Sequence, residues 1–437
     1  MRELGVWSLS ACALAWLVGA PAVPLSGQLL GPEFQVNSYT TGYQTTPAVG
    51  MDGAGKFVVV WTRVDPDLTD REIAVQRFDA GGVPEGGESQ ANSFTTGNQW
   101  FPALATAPAG GFLAIWEGAG AGDPDSGVFG QPFDAAGDAL GGALLFNSYT
   151  TGEQGDSAVA ADGQGNFVVV WTSADQDGSD TGIFGRRVGP TGTLLGGEFE
   201  VPTYTTGFQV TPAVAADSAG NFLVVWASVS LDNLQSPIMG RRFNAAAVAQ
   251  GDEFQINANS TERLSDPAVA ADGAGNFVVT WNRPGDALSL DDVVARRVDA
   301  SGVPVGDEVQ VNTHTPQRQR GARVATGAAG SFVVVWESLS GQDGSYSGVF
   351  ARRFDSTGTP ITSEFRVNSY STGNQAKPAI AGDGSGAFVV TWISDGQDGS
   401  SHGIFGQRLH PLLFADGFEG ESVCGWSEAA GSGDICP

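Results

Sequence analysis

The sequence predicts an all-β chain: a seven-bladed β-propeller of four-stranded antiparallel blades, its ring closed by an N-terminal strand that completes the last blade. Three observations carry this. Trp61, Trp116, Trp171, Trp226, Trp281, Trp336 and Trp392 recur 55, 55, 55, 55, 55 and 56 residues apart. Each interval holds four strand-like runs separated by turn residues. And a fourth-type run precedes the first complete unit, while the last unit stops after its third run.

The third unit shows the elements in order. Its runs are "SAVAA" (Ser157–Ala161), "NFVVVW" (Asn166–Trp171), "GIFGRRV" (Gly182–Val188) and "EFEVP" (Glu198–Pro202). The first two are apolar on both faces, as in strands held between layers. The fourth alternates apolar and polar, as in a strand wet on one side. The first run is also the smallest in volume, which suits strands crowded about an axis. Between first and second runs lies "DGxGxF", a tight turn in which Asp caps and Gly supplies positive φ. Units two and six vary it, as "APAGGF" (Ala107–Phe112) and "TGAAGSF" (Thr326–Phe332).

The ends fit each other. "EFQVN" (Glu33–Asn37) matches the vacancy left after "GIFGQRL" (Gly403–Leu409), and joining the two removes the exposed edges of an open array. A β-solenoid with long coils is the competing reading, but it gives no reason for this arithmetic. Tandem immunoglobulin-like domains need about 100 residues each and do not fit the period.

Of the 437 residues, 1–22 read as a secretory signal peptide, 23–32 as a linker, 33–410 as the propeller and 411–437 as a tail. No later apolar run is long enough to span a membrane. Cys12 leaves with the signal, so Cys424 and Cys436 read as one disulfide closing a short loop in the tail. The formal net charge is -27, from 48 acidic and 21 basic residues. Such a surface repels phosphate backbones and excludes nucleic acid as a partner. A secreted, periplasmic or cell-surface monomer fits, with a glycan or a protein as ligand.

The full unit, as in "GEFEVPTYTTGFQVTPAVAADSAGNFLVVW" (Gly197–Trp226) with "QDGSDTGIFGRRV" (Gln176–Val188), resembles uncharacterised repeats of large exported bacterial proteins, some of them surface and RTX-type proteins. The resemblance covers about residues 33–410 and implies fold and export. The ending "FADGFEGESVCGW" (Phe414–Trp426) resembles a short "DGFE" tail of many exported bacterial proteins.

Because the units share a scaffold, positions that differ between them are free for function. The two residues ahead of the first run are such positions: Thr45-Thr46, Trp100-Phe101, Gly155-Asp156, Val210-Thr211, Ser265-Asp266, Arg320-Gly321 and Ala376-Lys377. In a propeller they ring the mouth of the central channel. Arg323 fills a slot held by Ala48, Ala103, Ala158, Ala213, Ala268 and Ala379, and a charge there needs water or a partner. Trp100, Phe101, Asp156, Asp266, Arg320, Arg323 and Lys377 are therefore the ligand-binding candidates, with poles in units two and six. Large aromatics beside placed charges suit an acidic sugar or a carboxylate-bearing peptide.

Asp175 and Asp177, in "DQDGS", are candidate Ca²⁺ ligands; an Asp-Gly turn is the alternative, since the EF-hand pattern is missing. The Arg pairs Arg186-Arg187, Arg241-Arg242, Arg296-Arg297 and Arg352-Arg353 point to opposite strand faces and predict ion pairs with acidic turns. His314, His402 and His410 are scattered over different units and suggest no nucleophile. The reading is a non-catalytic binding or surface-interaction propeller. The alternative is a polysaccharide lyase or glycoside hydrolase using Asp156, Asp266, Arg320, Arg323 and His314 at the channel mouth.

Overall fold

The computed structural model describes residues 28–411, apart from 95–96, 121, 233–234, 260, 286–289 and 340. The signal segment, most of the linker and the tail with Cys424 and Cys436 lie outside the described residues. The regular elements among them are all strands, except for one 3-10 turn, Ala328–Gly330, where unit six writes "TGAAGSF" in place of the Asp-Gly turn. No described helix is long and apolar enough to cross a membrane.

Each unit folds as an antiparallel set. In unit three, Gln154–Ala161 pairs with Phe167–Ala174, that strand with Thr181–Val188, and the last with Leu194–Glu200. The sets form two eight-stranded and three four-stranded sheets. Each larger sheet is two sets joined by one parallel pair, Tyr43 beside His402 or Thr181 beside Phe208. First strands of successive units touch one another, and that of unit seven, Gln375–Gly382, touches that of unit one, Tyr43–Met51.

The second strands explain the core. Runs such as Phe57–Val64 ("FVVVWTRV") are β-branched and aromatic, and almost wholly buried. All seven repeat tryptophans are at most 1% exposed. Clusters join two units at a time, so burial lies between units rather than within them. Trp281 and Val279 of unit five, for example, pack with Leu223 and Val225 of unit four. Val36, Val389 and Ile404 pack with Trp61 in the same way, across the two ends of the chain.

Polar bonds close the turns within units and latch the units to one another. Asp52 Oδ1 accepts the N–H groups of Ala54 and Lys56, both at 2.9 Å, and Gly55 takes φ +79°, as the turn requires. A fourth-strand glutamate of one unit caps the turn after the fourth strand of the unit before: the N–H of Thr203 donates to Glu253 at 2.9 Å, and that of Ser369 to Glu33 at 2.7 Å. The first Arg of each pair donates to a backbone carbonyl of the preceding unit, as Arg241 does to Val201 at 2.7 Å and Arg296 to Ile256 at 2.7 Å. The predicted ion pairs with acidic turns give way to these bonds, because the guanidinium already lies against the neighbouring strand's free carbonyl.

Three boundaries differ from those the sequence suggests. The N-terminal strand runs Leu29–Gln35 and pairs with His402–Leu409, so residues 29–32 of the expected linker are strand. A register shift between Leu30 and Phe34, with Gly31 at φ +72°, interrupts the alternation that would have revealed it. Elsewhere the fourth strand shrinks to two residues, as at Ser89–Gln90 and Phe365–Arg366. The first strands, by contrast, start earlier than the small-residue run and include the variable pairs.

Candidate functional site

Every first strand carries a bulge at its variable pair. Register shifts fall between Thr45 and Ala48, Trp100 and Ala103, Gly155 and Ala158, and at the matching place in the other units. The second residue of each pair takes positive φ: Thr46 50°, Phe101 48°, Asp156 48°, Thr211 52°, Asp266 50°, Gly321 63° and Lys377 52°. The pairs thus lie within the strand rather than ahead of it. Six of these residues are not glycine, and such strain is retained where it aims side chains. Here it re-aims the side chain at each bulge.

Unit two supplies an aromatic pole. Phe101 is 53% exposed, Trp100 is half-buried against it with ring centroids 6.3 Å apart, and the Arg71 guanidinium lies 5.4 Å over the Trp100 ring.

Beside it lies an acidic stretch. Glu117, next after Trp116, is 7% exposed and accepts the Ser157 N–H at 3.0 Å. Burial, with the Asp156 charge adding to it, pushes the carboxyl up to about 7 against the pull of that N–H. Asp156 and Asp266 are both solvent-exposed, yet desolvation raises the pKa of Asp156, and the Asp266 charge raises it further. Asp266 also accepts from Asn282 Nδ2 at 2.7 Å. Arg323 is the exposed residue of its strand; desolvation lowers its pKa and the Asp266 charge partly restores it. The one hydrogen bond of its guanidinium among the described residues goes to the carbonyl of Ala322, at 2.8 Å.

The second pole adjoins the first rather than facing it, and opens into a cavity of about 680 Å³ between units six, seven and one. Arg71, Arg320 and Lys377 line it, with Tyr43, Tyr346 and the apolar side chains of Leu68, Leu339 and Ile393. Glu337, one residue after Trp336, anchors the cations: Arg320 Nη2 is 3.7 Å from its Oε1, and the Lys377 N–H also points to it. Burial raises the pKa of Glu337 and lowers that of Lys377, and each counters the other's shift.

The same cavity holds a histidine–aspartate pair. His402 Nε2 lies 3.1 Å from Asp395 Oδ1, and Asn374 Nδ2 donates to Asp395 Oδ2 at 2.7 Å. The Tyr43 ring meets the imidazole edge-on at 5.0 Å.

The structure therefore brings Arg320 and Lys377 together, links Trp100 to their cavity through Arg71, and couples Asp156 and Arg323 to the charge of Asp266. Sequence reasoning missed Glu117, Glu337, Arg71, Asp395 and His402. The signal was in the repeat: the slot after the core tryptophan holds Thr62, Thr172, Ala227, Asn282 and Ile393 elsewhere. His314 is not among the cavity's lining residues; its backbone N–H meets Glu364 in an outer corner. Asp177 caps its own turn by accepting the Ser179 N–H at 3.0 Å, and Asp175 takes φ 60° where the Gly178 N–H meets its carbonyl. Among the described residues no group of three or more His, Cys, Asp or Glu is placed to hold a metal ion.

No protein-family model matches this chain, and no curated protein matches it. Solved structures do. A protein of unknown function from Dyadobacter fermentans superimposes with a TM-score of 0.54 at 11% identity, over 89% of this chain and 100% of its own. The GH93 α-L-arabinofuranosidase of Fusarium graminearum, solved with arabinobiose, gives 0.50 at 10% identity, over 86% and 96%. The fold is a β-propeller of four-stranded blades. At such identities the likeness is one of fold, and function must come from the site.

Proposed function

We propose that the chain is an exported seven-bladed propeller that binds an acidic glycan in the cavity between blades six, seven and one. The observation that carries this is electrostatic. On a chain of net charge -27, Arg71, Arg320 and Lys377 converge on one cavity. Its size suits a short run of sugar rings, and Tyr43 and Tyr346 offer faces for them. Arg71 continues the cationic track to Trp100, so a longer chain would follow the short arc between the two poles. Calorimetric titration with galacturonate, mannuronate and neutral arabinose oligosaccharides tests this. Binding of the uronates, weakened by salt and by Arg320→Ala, is expected; equal binding of the neutral sugars would defeat it.

The seven-blade count with a closed ring is part of the proposal. It is supported by Glu33, which latches to Ser369 as Glu253 does to Thr203, and by the pairing of Leu29–Gln35 with unit seven. Deleting residues 29–35 is expected to lower the melting temperature sharply. An unchanged Tm would refute closure.

A further inference from the structure

We propose that this cavity also cleaves the uronate chain it holds, by β-elimination with His402 as the base. The proposal rests on the acidic-glycan reading above.

The internal repeat isolates the feature. The last cross-strand pair of the second and third strands is Val64 with Arg71, Ala174 with Thr181, Pro284 with Asp291, Leu339 with Ser347, and Asp395 with His402. Among these five, only unit seven places ionisable side chains on both members. The scaffold requires neither, since Val, Ala, Pro or Leu takes the place of Asp395 elsewhere, and Arg, Thr, Asp or Ser that of His402. Asp395 is fixed by Asn374 and holds Nε2 of the imidazole, and Tyr43 buttresses the ring. With Nε2–H donated to Asp395, Nδ1 keeps a lone pair that can accept a proton.

The other groups decide between reactions. Hydrolysis of a glycoside calls for two carboxyl groups flanking the bond. The two carboxylates lining this cavity are already engaged, Glu337 with Arg320 and Lys377, Asp395 with His402 and Asn374. What remains is a base and a set of cations. Cations on a uronate carboxylate drain charge from it and acidify the adjacent C5–H, which is what elimination needs. His402 takes the C5 proton; the C–H electron pair becomes the C4–C5 double bond; the C4–O bond breaks, and the departing glycosyl oxygen takes up a proton from the imidazolium or water. No water is added across the bond and nothing is oxidised.

The full chain, incubated with polygalacturonate and with alginate, is expected to generate the ultraviolet absorbance of an unsaturated uronate. Mass spectrometry should show each cut yielding one fragment lighter by a water than its hydrolytic counterpart. His402→Ala should lower turnover about 100-fold, Asp395→Asn should move the pH profile, and Arg320→Ala should both raise KM and lower kcat. A melting curve for each variant shows that it has folded. Hydrolytic products, undiminished elimination by His402→Ala, or wild-type binding without cleavage would overturn this inference. Failure of the wild type to bind uronates by calorimetry would instead overturn the reading beneath it.

Discussion

Glu117 and Glu337 occupy the same slot in blades two and six, one residue after the core tryptophan, and both are 7% exposed. Each lies against the bulge of the next blade. Over Glu117 the bulge brings Asp156; over Glu337 it brings Lys377, with Arg320 from its own blade. The scaffold thus fixes where the carboxyl sits, and the variable bulge fixes whether it is welcome there as an anion. One pole is an acid held near neutrality; the other is a carboxylate that organises two cations.

The largest effect expected from disturbing this contrast is on Glu117. Between its ordinary value of 4.5 and about 7, the unfolded chain has released the proton that the folded chain retains, so stability declines as pH rises through that window. The cost at pH 8 is on the order of 3 kcal/mol. Glu117→Gln removes it, so denaturant titrations should show the variant more stable than wild type at pH 8 and equal at pH 4. Removing the cations from Glu337, with Arg320→Ala and Lys377→Ala together, should make blade six resemble blade two. The loss should be about 2 kcal/mol at pH 8, reduced from the value for a fully buried pair because Arg320 is partly exposed. It should shrink at pH 4; a loss independent of pH would mean that packing, not charge, was removed.

The reverse transplant is gentler. Asp156→Lys gives Glu117 the neighbour that Glu337 has, at a position whose positive φ already carries Lys377 in blade seven. A gain of about 1 kcal/mol at pH 8 is expected, along with a lower Glu117 pKa by NMR titration. Arg323→Ala, which restores the repeat's own residue, should leave Tm nearly unchanged, since the guanidinium bonds only a neighbouring carbonyl and the residue is exposed. Weakened uronate binding would show that ligand reaches down the channel; unfolding would make the residue scaffold.

The fold was legible because its determinants are local and repeated. The tryptophan spacing, the Asp-Gly turns and the orphan run before blade one all survive in a single sequence. Arg320, Arg323 and Lys377 were visible for the same reason, as departures from a shared column. Glu117 and Glu337 sit in an equally readable column, hidden by the assumption that a buried second strand is apolar throughout. Asp395 and His402 were harder: they lie at strand ends, and only the pairing register reveals that they face each other. The bulges were invisible, because positive φ there is carried by Thr, Phe, Asp and Lys, with glycine only at Gly321.

The strand His402–Leu409 has one further consequence. Its first residue lines the cavity, while its last pairs with Leu29, and the His410 N–H donates to the Gln28 carbonyl at 3.0 Å. The two ends of the described chain therefore meet at one corner, roughly 23 Å of strand away from the cavity. A group fused at Gln28 or Pro411 is thus attached about seven residues of strand, roughly 23 Å, from the His402 end that lines the cavity. A label, a partner domain or a solid support fused at either end should leave the mouth open to a polymer.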